Sequence, residues 1–190
     1  MPRRFTRIPG SLGDMIMVAT GSTAPADHQG ADRHGFREPT GSGTDALMGV
    51  YFADQRHVPA AEQLGSEVTL AEDPFLQTVA EQLREYFDGT RHEFDVPLAP
   101  EGSDFELRVW EQLRAIPHGT TTSYGQLARQ LDTPGGAQGV GQAVGHNPIS
   151  VIVPCHRVVA ADGSLTGYAG GLQRKRALLD LETPASQRLL

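Results

Sequence analysis

Nine residues constrain this chain more than any others: Val151-Ile152-Val153-Pro154-Cys155-His156-Arg157-Val158-Val159. Three β-branched residues in succession predict a strand buried on both faces. Pro154 removes a backbone donor and ends the ladder. Cys155 is therefore expected where a buried strand breaks, held at the mouth of a pocket. A lone cysteine ordinarily packs as a small hydrophobe. Here His156 and Arg157 place potential positive charge beside the sulfur, which favours the thiolate. That matters for a nucleophile, because a free thiol with a pKa of about 8.5 is only a few per cent ionised near neutral pH.

Cys155 is the only cysteine in 190 residues. One cysteine excludes an internal disulfide framework and any multi-cysteine zinc site, and makes the cytoplasm the expected location. No apolar run reaches 18 residues, so no membrane span is expected. Met1-Pro2-Arg3-Arg4-Phe5 is basic but lacks the apolar segment of a signal peptide. The net charge is −7, an unpromising value for a nucleic-acid binder. It is unevenly spread, with residues 1–103 at −8 and residues 104–190 at +1. The acidity belongs to the first half, and the second half remains free to present a basic face.

The flanks of Cys155 carry a specific resemblance. Pro154-Cys155-His156-Arg157-Val158 is similar to the acceptor motif of the O6-alkylguanine-DNA alkyltransferases, the methylated-DNA–protein-cysteine methyltransferases. Asn147-Pro148 precedes it at the family's spacing. Gly163, Gly167-Tyr168, Gly170-Gly171, Lys175, Leu178-Leu179 and Glu182 follow. Upstream, Phe105, Val109-Trp110, Ile116-Pro117, Gly119, Ser123-Tyr124-Gly125 and Leu127-Ala128 extend the likeness, which covers Phe105 to Glu182. The first hundred residues resemble the family only loosely.

Local patterns place these motifs. Met15 to Ala19 reads as a strand after the turn Ile8–Gly13, able to form a hairpin with Leu47–Phe52. Thr20 to Asp45 has no periodicity and reads as a long insertion. Its His28 and His34 are better read as solvated polar residues than as metal ligands. Phe75, Val79, Leu83 and Phe87 recur every four residues, the pattern of an amphipathic helix closed by Gly89. His92 to Gly102 reads as an extended linker. Ser103-x-x-Glu106 is a capping box that opens a helix, with Trp110 in the core. Tyr124 to Leu131 and Gly135 to roughly Gly145 form two short helices around Asp-Thr-Pro, a candidate helix-turn-helix. Five glycines lie on or near the second. Each costs roughly 1 kcal/mol in a helix interior, so a close neighbour, whether helix or nucleic-acid backbone, is expected there. A helix from Arg174 to Leu181 ends near Glu182, and the tail from Thr183 reads as loose.

The expected class is therefore α+β. The resemblance implies a small N-terminal α/β domain with a ribonuclease-H-like sheet, placed at residues 1–91 with the insertion near 20–45. A linker at 92–103 leads to a mainly helical DNA-binding and alkyl-acceptor domain at 104–190. The resemblance implies direct displacement: Cys155 takes the alkyl carbon from O6 of guanine, with O4-alkylthymine left open as a second substrate. A water passes the thiol proton to His156, Glu182 holds the far side of the imidazole, and Asn147 braces the turn. The partner implied is double-stranded DNA bound through its minor groove, by a monomer and without cofactor or metal. Base and DNA contacts are assigned to Tyr124, Gln138, Gly141, Arg157, Val158, Tyr168 and Ala169. Gln138 departs from the family, which has an intercalating arginine at that position. Three other classes stay open. A cysteine hydrolase would use the Gly170 and Gly171 amides and turn over repeatedly. A non-catalytic damage binder would usually replace the cysteine, and Gln138 keeps that class open as a damaged-DNA binder with weakened repair; a helix-turn-helix regulator would not need Cys155.

Overall fold

The computed structural model describes residues 2–21, 45–132 and 136–183. Strands β1 (Arg3–Ile8), β2 (Met15–Thr20) and β3 (Ala46–Phe52) form an antiparallel sheet, and β4 (Ser66–Glu67) pairs parallel to β1 at the other edge. The expected hairpin between the Met15 and Leu47 segments is present, with a register shift at Val18/Ala19. β1 has no counterpart in the sequence expectations, because Arg3, Arg4, Thr6 and Arg7 dilute its apolar signal. Helix α1 (Ala61–Leu64) and a 3-10 turn at Leu70–Glu72 lead to α2 (Pro74–Phe87). Asp73 caps α2, accepting from Leu76 N at 3.0 Å, and pairs with Arg4 of β1. Leu76, Val79 and Leu83 bury the inner face of α2 against the sheet. Gly89 follows at φ +74°, where a glycine ends the helix without strain.

The second half is helical: α3 (Asp104–Arg114), α4 (Tyr124–Gln130), α5 (Gly136–Gly145) and α6 (Leu172–Glu182), with β5 (Thr122–Ser123) parallel to β6 (Val158–Val159). The capping box is formed, since Glu106 N donates to Ser103 Oγ and Ser103 N to Glu106 Oε2. Ser123 and Gln126 repeat it on α4. Trp110 is buried in the core and donates from Nε1 to Ala143 O at 2.8 Å, tying α3 to α5. α4 packs on α5 as the helix pair expected there. Thr133 to Gly135 between them lie outside the described residues, as do most of the insertion with His28 and His34, and the tail after Thr183. No helix among the described residues is long and apolar enough to cross a membrane.

One apolar core runs through both halves, joining Met15, Phe52 and Leu76 to Trp110, Val140 and Leu178. The edge of β3 carries the join. Leu47 pairs with the expected linker through Leu47 N to Pro97 O and Ala99 N to Leu47 O, both 2.8 Å. Val50 then pairs with Pro148–Ser150, through Val50 N to Pro148 O at 2.9 Å and Ser150 N to Val50 O at 2.8 Å. The sheet thus continues into the segment that precedes Cys155.

That pairing corrects the expected strand. Val151–Val153 is a turn, not a strand, although all three side chains are buried. The extended run ends at Ile149, which bridges Val50, and Val153 N then folds back onto Ile149 O at 3.0 Å. Val151 sits at φ +72°, a left-handed conformation that a β-branched residue adopts only when its surroundings impose it. Cys155 opens a 3-10 turn, Cys155–Arg157, before β6.

Candidate active site

Asn147 imposes the turn. Its Oδ1 accepts from Ile149 N at 3.0 Å, and its Nδ2 donates to Val153 O at 2.8 Å and to Cys155 Sγ at 3.1 Å. One buried amide thus sets the backbone on both sides of Val151 and points a donor at the sulfur. Cys155 is 5% exposed. Burial pushes its thiol pKa up, against the Asn147 hydrogen bond and the charge of Lys175, which favour the thiolate.

In the same 3-10 turn His156 is fully buried. Its Nε2 lies 2.9 Å from Glu182 Oε1. Its Nδ1 is buried with no hydrogen-bond partner among the described residues. With Glu182 ionised, Nε2 carries the proton and Nδ1 presents its lone pair. Burial holds the imidazolium pKa below its ordinary value, although Glu182 pulls it up, so the ring is a neutral base.

Glu182, at the end of α6, collects five hydrogen bonds. Oε1 accepts from His156, from Tyr86 Oη at 2.7 Å and from Arg157 Nη2 at 2.8 Å. Oε2 accepts from Arg157 Nε at 2.9 Å and Gly119 N at 3.2 Å. Burial raises a carboxyl pKa, but here the bonds from His156 and Arg157 outweigh it and hold Glu182 well below the usual range. Arg157 spends its remaining reach on Ile116 O at 2.6 Å.

This geometry corrects one sequence expectation. His156 stays neutral and Arg157 is consumed by Glu182, so neither supplies the positive charge at the sulfur. Lys175 does. It is the only lysine in the chain and is fully buried. Its Nζ donates to Val158 O at 2.5 Å, Thr166 O at 2.6 Å and Gly167 O at 3.3 Å. Burial lowers its pKa to about 8, while the field of Cys155 raises it. Val158 O thus already takes a donor from Lys175.

The glycine-rich loop closes beside these groups. Tyr124 Oη, at the start of α4, donates to Thr166 O at 3.1 Å and Gly167 O at 3.3 Å. Arg56 reaches from beyond β3 to Tyr168 O at 3.3 Å, and its own N–H donates to Ala169 O at 3.1 Å. Gly170 has no room for a side chain, since a Cβ there would stand 2.8 Å from Tyr168 Cε1 and 3.1 Å from Phe52 Cδ2. Tyr168 is buried and Ala169 partly so. Gly141 on α5 faces Tyr124, 3.7 Å from the place of its missing Cβ to Cδ1. Gln138 is exposed on the same helix.

A thiol, a neutral buried base, an ionised orienting carboxylate and a helix pair with a glycine-rich outer face meet in one unit. Two family models match this chain: 6-O-methylguanine DNA methyltransferase, ribonuclease-like domain, over residues 45–100, and 6-O-methylguanine DNA methyltransferase, DNA binding domain, over 104–184. A relative from Bacillus subtilis, named methylated-DNA–protein-cysteine methyltransferase, inducible, is 37% identical over 150 residues, covering 75% of this chain and 84% of that protein. The chain belongs to the 6-O-methylguanine DNA methyltransferase family.

A Mycobacterium tuberculosis methylated-DNA–protein-cysteine methyltransferase is 59% identical over 102 residues, 54% of this chain. That match spans 62% of the relative's length, less than two thirds. The solved Mycobacterium tuberculosis O6-methylguanine methyltransferase superposes with a TM-score of 0.74 at 37% identity, covering 98% of both chains. The same organism's OGT in complex with DNA gives 0.72 over 96% of both. The family's two-domain architecture, a ribonuclease-like domain followed by a helical DNA-binding domain, is the fold of this chain.

The structure brings together Cys155, His156, Glu182, Asn147, Arg157, Val158 and Tyr168, and holds Ala169 beside them through Arg56. It connects Tyr124 to them through Gly167, sets Gly141 against Tyr124, and leaves Gln138 exposed on α5. Sequence reasoning gave no role to Lys175, Tyr86, Gly119 or Arg56. Lys175 and Gly119 carried a signal, since both stand in the family motif and Lys175 is the chain's one lysine.

Proposed function

We propose that this chain repairs DNA by moving an alkyl group from O6 of guanine onto Cys155. The observation that carries the reading is Cys155 Sγ held by Asn147 Nδ2, in the same turn as a neutral His156 anchored on Glu182. Loss of the thiol proton through a water to His156 Nδ1 would leave the thiolate facing Asn147 and the field of Lys175. The S–C bond then forms as the C–O6 bond breaks, and the electron pair returns to the base, which Tyr124 Oη protonates. The product is a thioether that His156 has no means to cleave, so each molecule reacts once. No cofactor or metal enters this scheme.

The alkylated base is out of reach inside a duplex and must be flipped, at a cost of a few kcal/mol. We assign that work to α5 in the minor groove, where the open faces of Gly139 and Gly145 admit a close backbone, and to Tyr124 at the adjoining phosphate. Tyr168, the Ala169 amide and the Cys155 and Val158 carbonyls would hold the base. Every group in the scheme comes from one chain, which suits a monomer, and a thiol that must stay reduced suits the cytoplasm. A hydrolase reading finds less support, because the Gly171 amide is already given to Tyr168 O at 3.1 Å and does not point at a developing oxyanion. Turnover with excess O6-benzylguanine separates the two: a plateau at one equivalent supports alkyl acceptance, and continued release of guanine excludes it.

Gln138 fills space where the family's arginine would also add charge. Gln138→Arg is expected to raise the repair rate on duplex DNA several-fold, within the roughly tenfold that one added phosphate-facing cation supplies at moderate salt. The rate with free O6-benzylguanine should not change. Equal duplex rates for the two proteins would remove Gln138 from the account of flipping.

A further inference from the structure

Tyr86 stands apart from the rest of the acceptor network because it comes from the ribonuclease-like half. It lies on α2, whose apolar face asks only for a hydrocarbon at this position, and it is 1% exposed. A phenylalanine would fill the same space. The hydroxyl is an added polar group in a dry interior, a placement that costs free energy unless it is hydrogen-bonded. Its partner is Glu182 Oε1 at 2.7 Å, and it passes 3.5 Å from His156 Nε2. Burial and the charge of Glu182 push its own ionisation far up, so it is a donor at every working pH.

We propose that Tyr86 is a positioning residue of the acceptor relay, holding Glu182 so that His156 keeps its Nε2–H tautomer and a low basicity. The inference rests on the alkyl-acceptor reading given above. Oε1 divides its negative charge among three donors: the imidazole, the guanidinium of Arg157 and this phenol. Removing one leaves more of that charge on His156, which favours the imidazolium. It also removes the hydrogen bond that ties Glu182 to α2. The groups that act on His156 are Glu182, Arg157 and Lys175, with Tyr86 from α2 and His118 from the turn after α3. Replacing Tyr86 by phenylalanine removes its polar function without changing the site's charge.

The test is Tyr86→Phe in the full chain, with three readouts on one preparation: melting temperature, ring titration of His156 by NMR on histidine-labelled protein, and the pH profile of alkyl transfer from O6-benzylguanine. The expected result is a His156 titration moved up by about half a unit or more, roughly a threefold change in the protonation equilibrium. The acidic limb of the rate profile should move up with it, so that the variant is slowest relative to wild type at low pH and recovers as pH rises. An unmoved titration and limb would overturn the proposal. So would a rate lowered equally at all pH values together with a fall in melting temperature, which is the signature of packing alone. If wild type fails to react, the acceptor reading fails, and the NMR titration still reports whether Tyr86 sets His156.

Discussion

Glu182→Ala is expected to destabilise the protein by about 3–5 kcal/mol, the usual cost of stripping the partner from a buried charge. The carboxylate is 3% exposed and is the common acceptor for His156, Arg157, Tyr86 and the Gly119 amide. Without it, Arg157 is left buried with only the Ile116 carbonyl, and the phenol of Tyr86 loses its acceptor. The effect depends on pH with a fixed sign. The Glu182 pKa is depressed on folding, so its contribution is complete above the unfolded carboxyl value of about 4.3 and fades as pH falls through the folded one. Urea titrations of both proteins between neutral and acidic pH should show a gap that narrows as wild type loses stability. A gap of constant size would mean that Glu182 is not ionised in the folded state. Alkyl transfer should fall with it, because His156 loses the group that fixes its proton on Nε2.

Lys175→Met is expected to slow transfer by about 10–100-fold at neutral pH, the result of raising the thiol pKa by about one to two units. Lys175 is the cation that acts on Cys155, and burial makes that field strong. Methionine keeps most of the volume and removes the charge. It also leaves the carbonyls of Val158, Thr166 and Gly167 without the ammonium that gathers them, at about 1–3 kcal/mol for each acceptor left dry. Ultraviolet titration of the Cys155 thiolate, set beside the rate with O6-benzylguanine, separates these effects. A slower reaction with an unmoved thiol pKa would assign Lys175 to the loop alone.

Much of this was legible in the sequence where the cause is local. Ser103 and Glu106 announce their helix because both halves of a capping box lie within four residues. Phe75, Val79 and Leu83 do the same through their spacing. The order Asn147, Cys155, His156, Glu182 was readable from motif. What failed were features decided across the fold. Val151–Val153 reads as a strand because a short apolar run cannot distinguish a strand from a buried turn. The choice is made by the Asn147 amide and by Val50 on β3, about a hundred residues away. Arg157 and His156 looked like the thiolate's cations because sequence shows adjacency, not direction. Glu182, 25 and 26 positions on, claims both. Tyr86 gave no sign at all, since its helix periodicity is satisfied by its ring and its hydroxyl partner lies 96 residues away.

The most direct measurement is the intact mass of the wild-type protein and of Cys155→Ser after incubation with duplex DNA carrying a single O6-methylguanine. The account predicts a gain of one CH2 in the wild type, rising to one equivalent and no further however much substrate is added, with none in the variant. An unchanged wild-type mass with the DNA still bound would contradict it, and would leave a protein that recognises the lesion without accepting its methyl group.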